Sequence, residues 1–223
     1  MRWPGPFRRR HAGEPGGRES AIGVADPGEH ERASPGLAAL FGALDPATDH
    51  RLLDLGPASG RSLEVYGRFA SRVRFADLAR HGSAPPADEV AADPAESRVA
   101  PLPVDDEDVG YTVVVAWDAL GVLGVEARTC LVERIAARCA PGARLYAVAG
   151  ESELEPPLPA RFTLIAPDRV VERPEAGDRS AAAPLSPAEV GRALRPFVVE
   201  RSFVLRCGVR EYVAVLPATV TAR

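Results

Sequence analysis

The chain has 223 residues, of which 46% are hydrophobic, and a formal net charge of −4. This length suits one α/β domain with a tail rather than two full domains, and the acidic balance gives no whole-chain case for nucleic-acid binding. No apolar run is long enough to span a membrane, and the basic start at Arg2, Arg8, Arg9 and Arg10 is followed by no apolar core of a secretory signal.

Residues 1–33 are rich in Gly, Pro, Arg and Glu and lack apolar periodicity, so they are expected to form a disordered tail ahead of a single domain over 34–223. Ser34-Pro35 has the form of an N-cap followed by proline at the first helical position. Leu37, Leu40, Phe41 and Leu44 recur at helical spacing, and Asp45-Pro46 ends the pattern. Arg51–Leu55 reads as a buried strand. Ser59–Arg72 reads as a helix with Leu63, Tyr66, Phe69 and Ala70 on one face, and Val73–Ala76 as a short strand ending at Asp77. Residues 79–100 are weakly patterned, with a short helix expected near 87–92 and a minor strand near 99–102. Tyr111–Ala116 is the clearest buried strand. A helix over 125–139 and a strand over 144–149 follow, and this alternation argues for a largely parallel sheet covered on both faces. Further on, 161–165 and 169–172 read as short strands around a turn. Ser186-Pro187-Ala188-Glu189 has the form of a capping box. The runs 197–206 and 210–216 are spaced for a closing antiparallel hairpin.

The chemistry concentrates where strands end. Asp54-Leu55-Gly56-Pro57-Ala58-Ser59-Gly60 turns a strand tightly into a helix, with small residues where a ligand would approach the backbone. The spacing is not that of G-x-G-x-x-G, and the lysine of a phosphate-binding P-loop is missing. A tight turn without a ligand is the alternative. Asp77 ends the neighbouring strand, where a carboxylate accepts hydrogen bonds from ribose hydroxyls or merely caps a turn. Trp117 and Asp118 end the central strand. Trp117 is either a pocket wall or a core aromatic, and Asp118 either a substrate-orienting group or base, or a helix cap. His50 precedes the first strand, on the face opposite the expected site, which favours a structural or solvent-exposed role, and His81 sits in a loop after Asp77. Asp105-Asp106-Glu107-Asp108 reads as a solvated loop rather than a metal site. Cys130, Cys139 and Cys207 are too few and too scattered for a disulfide framework or a zinc site, which points to the reducing cytoplasm. Arginine supplies all 27 basic side chains, so no lysine is available as Schiff base or general base.

Taken in order, these motifs resemble the class I S-adenosylmethionine-dependent methyltransferases. Leu52–Gly60 is similar to the family's first motif, with Ala58 in place of the middle glycine. Asp77 falls where the family places its ribose-binding acid, Tyr111–Asp118 resembles the fourth-strand motif, and Ala140-Pro141-Gly142-Ala143-Arg144-Leu145 resembles the approach to strand five. The resemblance covers roughly residues 50–216. It implies a Rossmann-like, doubly wound, mostly parallel sheet with a C-terminal antiparallel hairpin. It also implies that Gly56, Pro57, Ala58 and Gly60 approach the methionine part of S-adenosylmethionine, that Asp54 helps fix that end, and that Asp77 binds the ribose. Leu102 and Pro103 would flank the adenine and Trp117 would wall the pocket, while the acid for the adenine edge is left unplaced, Asp93 being a guess.

The expected function is methyl transfer to an unidentified small-molecule acceptor, with Asp118 and Tyr146 as the nearby candidates for a catalytic role and no metal. The alternatives are a cofactor-binding or interaction protein without turnover and, against the glycine spacing, a nicotinamide-dependent oxidoreductase. The sequence carries no signal for oligomeric state. It also predicts that Gly56→Val or Asp77→Ala weakens cofactor binding with the fold mostly intact.

Overall fold

The computed structural model describes residues 28–78, 109–150, 160–174, 184–206 and 208–218. In chain order these form β1 (His30–Ala33), α1 (Pro35–Gly42), β2 (Arg51–Asp54), α2 (Gly60–Tyr66), β3 (Arg72–Phe75) and β4 (Tyr111–Val115). There follow α3 (Ala119–Val122), α4 (Val125–Arg138), β5 (Cys139–Gly150), β6 (Ala160–Ala166), β7 (Arg169–Pro174), α5 (Pro187–Ala193), β8 (Val198–Val204) and β9 (Val209–Val215).

Two sheets result. The larger has the order β3-β2-β4-β5-β9-β8. It is mixed: β3, β2, β4 and β5 pair in parallel, while β9 is antiparallel to both β5 and β8. Side-chain alternation splits its strands between two apolar layers. Leu53, Val114 and Leu145 point into one, with Leu131 and Ile135 of α4 and Val190 of α5. Leu52, Val113 and Val115 point into the other, with Leu37 and Leu40 of α1 and Tyr66 of α2. Burial on both faces is why these strands read as continuous apolar runs.

The smaller sheet, β1-β7-β6, is antiparallel throughout. It adds Phe162, Leu164 and Val170 to the second layer. Here the structure departs from the expectation of a loose tail up to residue 33. His30–Ala33 is a strand paired with Arg169–Glu172, and Arg32 of this strand bonds Glu172 of β7 at 3.0 Å and Glu211 of β9 at 2.6 Å. Residues 1–27 lie outside the described residues.

Capping chemistry sets several boundaries. Ser34 accepts the Leu37 amide at the start of α1, and Ser186 and Glu189 form a reciprocal capping box on α5. Helix α2 is shorter than expected, ending at Tyr66 with Gly67 as its C-cap. Its buried residues are Ser62, Val65 and Tyr66, while Leu63, placed by periodicity on the inner face, is 49% exposed. The face rotates because Ser62 receives the Leu164 amide of β6 at 3.0 Å, which turns that side of the helix toward the small sheet. His50 is buried just before β2, bonded to the Thr112 hydroxyl at 3.0 Å and the Asp45 carbonyl at 2.9 Å.

Candidate functional site

In the larger sheet β3 and β4 flank β2 on opposite sides, so strand order reverses between β2 and β4. In open α/β sheets ligands bind outside the carboxyl ends of the strands at such a switch point. The loop 55–60 leaves β2 there, Asp77 follows β3, and Trp117 and Asp118 follow β4. Backbone bonds tie these ends together: Leu55 N to Val115 O at 2.9 Å, Ala76 N to Asp54 O at 2.7 Å, and Asp77 N to Gly56 O at 3.1 Å. Asp77 and Trp117 both have positive φ, 40° and 50°. A left-handed conformation is uncommon for aspartate and rarer for a bulky residue, and such backbone strain clusters at binding and active sites.

Asp54 organises the loop. It is buried, and its carboxylate accepts three hydrogen bonds. Oδ1 takes the Gly56 amide at 2.7 Å and the Trp117 indole N–H at 2.6 Å, and Oδ2 takes the Tyr66 hydroxyl at 2.7 Å. Burial pushes its carboxyl up to about 6, and the donors from Tyr66, Gly56 and Trp117 hold it down from a larger rise. Burial, followed by the adjacent Asp54 charge, raises the Tyr66 hydroxyl well above its ordinary value. Asp54 thus acts on any ligand by fixing the backbone around it.

The glycines of the loop have different reasons. A Cβ at Gly56 would sit 2.9 Å from Trp117 Nε1 and 3.1 Å from Asp54 Oδ1, so the protein's own packing demands glycine. This corrects the expectation that Gly56→Val spares the fold. A Cβ at Gly60 meets nothing within 4 Å among the described residues, and Ala58 and Gly60 are exposed. No contact with the described residues requires glycine at 60, and the open backbone is what a ligand at the loop would use. Pro57 is half-buried between them.

Trp117 is buried. Its ring stacks on Phe162 of β6, with centroids 5.0 Å apart and planes 2° apart, and meets Tyr146 edge-on at 5.8 Å. Asp118 is half-buried. It makes no side-chain cap on α3, and its Oδ2 accepts the Ala160 amide at 3.3 Å.

The Tyr146 hydroxyl is engaged inside the protein. It is buried, donates to Glu211 Oε1 at 2.9 Å and lies 3.3 Å from Ser34 Oγ. Burial, with the Glu211 charge next, pushes it far above its ordinary range, which suits a structural donor and not a proton carrier. Glu211, fully buried, also accepts from Arg32 at 2.6 Å and from the Gly36 amide at 2.7 Å. Sequence reading missed this group as a group, since its members lie far apart in the chain; Ser34 carried a signal only as a helix cap and Tyr146 only as a catalytic candidate.

Leu102, Pro103, Asp93, His81 and the acidic run 105–108 lie outside the described residues. Among the described residues, no three His, Cys, Asp or Glu side chains converge as a metal site, and no helix is long and apolar enough to cross a membrane.

No family model and no curated protein matches the sequence. Among solved structures, the chain is similar to a SAM-dependent methyltransferase from Methanosarcina mazei (18% identity, 80% of this chain and 97% of that one, TM-score 0.49). It is also similar to an S-adenosylmethionine-dependent methyltransferase from Mesorhizobium loti (15%, 81% and 96%, TM-score 0.47). A third is an amino pentose methyltransferase from Micromonospora echinaspora (19%, 81% and 88%, TM-score 0.48).

Proposed function

We propose that this protein binds S-adenosylmethionine at the carboxyl ends of β2, β3 and β4 and transfers its methyl group to a small-molecule acceptor. The observation that carries the reading is the loop 56–60, fixed by Asp54 at the reversal of strand order and open at Ala58 and Gly60. The residues suit the cofactor. The exposed loop backbone would hold the methionine end, and Asp77, at the end of the adjacent strand, would accept hydrogen bonds from the ribose hydroxyls. Leu102 and Pro103 are proposed for the adenine. When bound, the cofactor's sulfonium supplies an already activated methyl group.

The protein's own share is positioning. Asp54 holds the turn, Trp117 and Phe162 close the apolar side against water, and Asp118 stands at the end of β4 to orient an acceptor or take its proton. A neutral amine acceptor needs no base, whereas a hydroxyl or a protonated amine does.

A second reading, cofactor binding without turnover, is favoured by one observation. Tyr146 is engaged with Glu211 inside the protein, which leaves Asp118 as the remaining candidate base. Calorimetric titration with S-adenosylhomocysteine tests the shared part of both readings. Saturable binding weakened at least tenfold by Asp77→Ala and by Gly60→Val is expected, and no binding at about 1 mM ligand refutes both. Binding followed by no methyl transfer across a broad panel of amines, phenols and carboxylates selects the second.

A further inference from the structure

We propose that Trp117 is a positioning residue that couples the three-stranded sheet to the loop 56–60, so that the shape of the cofactor loop depends on how that sheet is docked. The inference rests on the reading of this loop as a cofactor site. Trp117 is gripped from two unrelated sides. Its indole N–H donates to Asp54 Oδ1, the same oxygen that takes the Gly56 amide. Its ring face lies on Phe162, at the third position of β6.

A core aromatic that only filled space would need neither the buried charge-assisted hydrogen bond nor a backbone at φ 50°. The structure holds Trp117 in that conformation between a carboxylate on β2 and a ring on β6. Strand β6 has a second, separate hold on the same loop. The Leu164 amide bonds Ser62 Oγ at 3.0 Å, two residues beyond Gly60. The small sheet therefore touches both ends of the turn, the first through Trp117 and Asp54 and the second through Ser62.

The sheet in turn is anchored away from the loop. Arg32 of β1 bridges Glu172 of β7 and Glu211 of β9, and the Ser34 amide bonds the Asp168 carbonyl at 2.7 Å. A ligand that shifts this sheet changes the geometry of the loop. By reciprocity, a cofactor that fixes the loop tightens the sheet.

Hydrogen–deuterium exchange on the full chain, with and without S-adenosylhomocysteine, tests this in the wild type, Phe162→Leu and Trp117→Phe. Coupling expects Phe162→Leu, a change on β6, to speed exchange of the amides of 56–62 about tenfold or more without ligand, while α4 on the opposite face keeps its rates. It further expects the ligand to slow exchange across 160–174 in the wild type, and less so in either variant. Unchanged exchange of 56–62 in both folded variants overturns the proposal. If Phe162→Leu does not fold, Trp117→Phe, which keeps an aromatic face and loses the Nε1 donor, decides that arm by the same criterion. Absence of ligand binding by the wild type refutes the cofactor reading alone, because the ligand-free exchange still decides the coupling.

Discussion

Asp54 is a buried carboxylate whose three donors come from three places in the chain: the turn it begins, the end of α2 and the end of β4. Its folded pKa, about 6, lies above the ordinary 3.8, so the native state holds the proton more tightly than the unfolded chain. Its contribution to stability is complete below about pH 4 and is lost as pH rises through about 6, a difference of about 3 kcal/mol. Asp54→Asn is expected to remove this slope. Its amide oxygen still accepts from Gly56 and Trp117, and its NH2 donates to a Tyr66 hydroxyl turned to accept. Urea denaturation at about pH 4.5 and 7 checks this, and parallel pH profiles for the two proteins would refute it. The two loop glycines separate folding from binding. Gly56→Ala forces Trp117 or Asp54 to move and is expected to cost about 1–3 kcal/mol. Gly60→Ala is expected to change stability by less than about 0.5 kcal/mol, because its Cβ touches none of the described residues. Melting temperatures of both variants give the comparison. The small residues of 56–60 were legible in the sequence because turn chemistry is local. The bond from Trp117 to Asp54 spans 63 positions, and no spacing rule encodes it.

Elements with apolar periodicity were legible: the β4 run, α4 with its inward Leu131 and Ile135, and the capping box that starts α5. Strand β1 was not. His-Glu-Arg-Ala has no apolar alternation, and it becomes a strand through backbone pairing with β7 and through Arg32. Burial opposes the charge of Arg32, but Tyr146, Glu211 and Glu172 outweigh it and raise its pKa above the ordinary value. Glu211→Ala would leave Arg32 without its buried partner, and Gly36 N–H and Tyr146 O–H without an acceptor. Loss of about 3 kcal/mol or more is expected by urea denaturation, with faster amide exchange across β1 and β7 than across β4. A cost below about 1 kcal/mol would mean that β1 is held by its backbone pairing alone. Edge strand β8 illustrates another limit of sequence reading. Its register shifts between Val199 and Arg201, and the bulge is a property of its pairing with β9 rather than of any residue pattern.

At the scale of the whole molecule, the sheet order brings three strand ends side by side, and Asp54, the loop 56–60, Asp77, Trp117 and Asp118 lie at those ends. Strand–helix alternation made the sheet legible. The position of β9 between β5 and β8, antiparallel to both, makes the sheet mixed, and the packing of β6 against α2 came only from the structure. The acceptor is not written in the strand ends, because pockets for it are built from loops that the fold leaves free to vary. Calorimetric titration of the full-length chain with S-adenosylhomocysteine tests the central claim most directly. The account expects one saturable site per chain, weakened at least tenfold by Gly60→Val in a protein that still folds with wild-type stability. No heat of binding at about 1 mM ligand, or equal affinity in the variant, would contradict it.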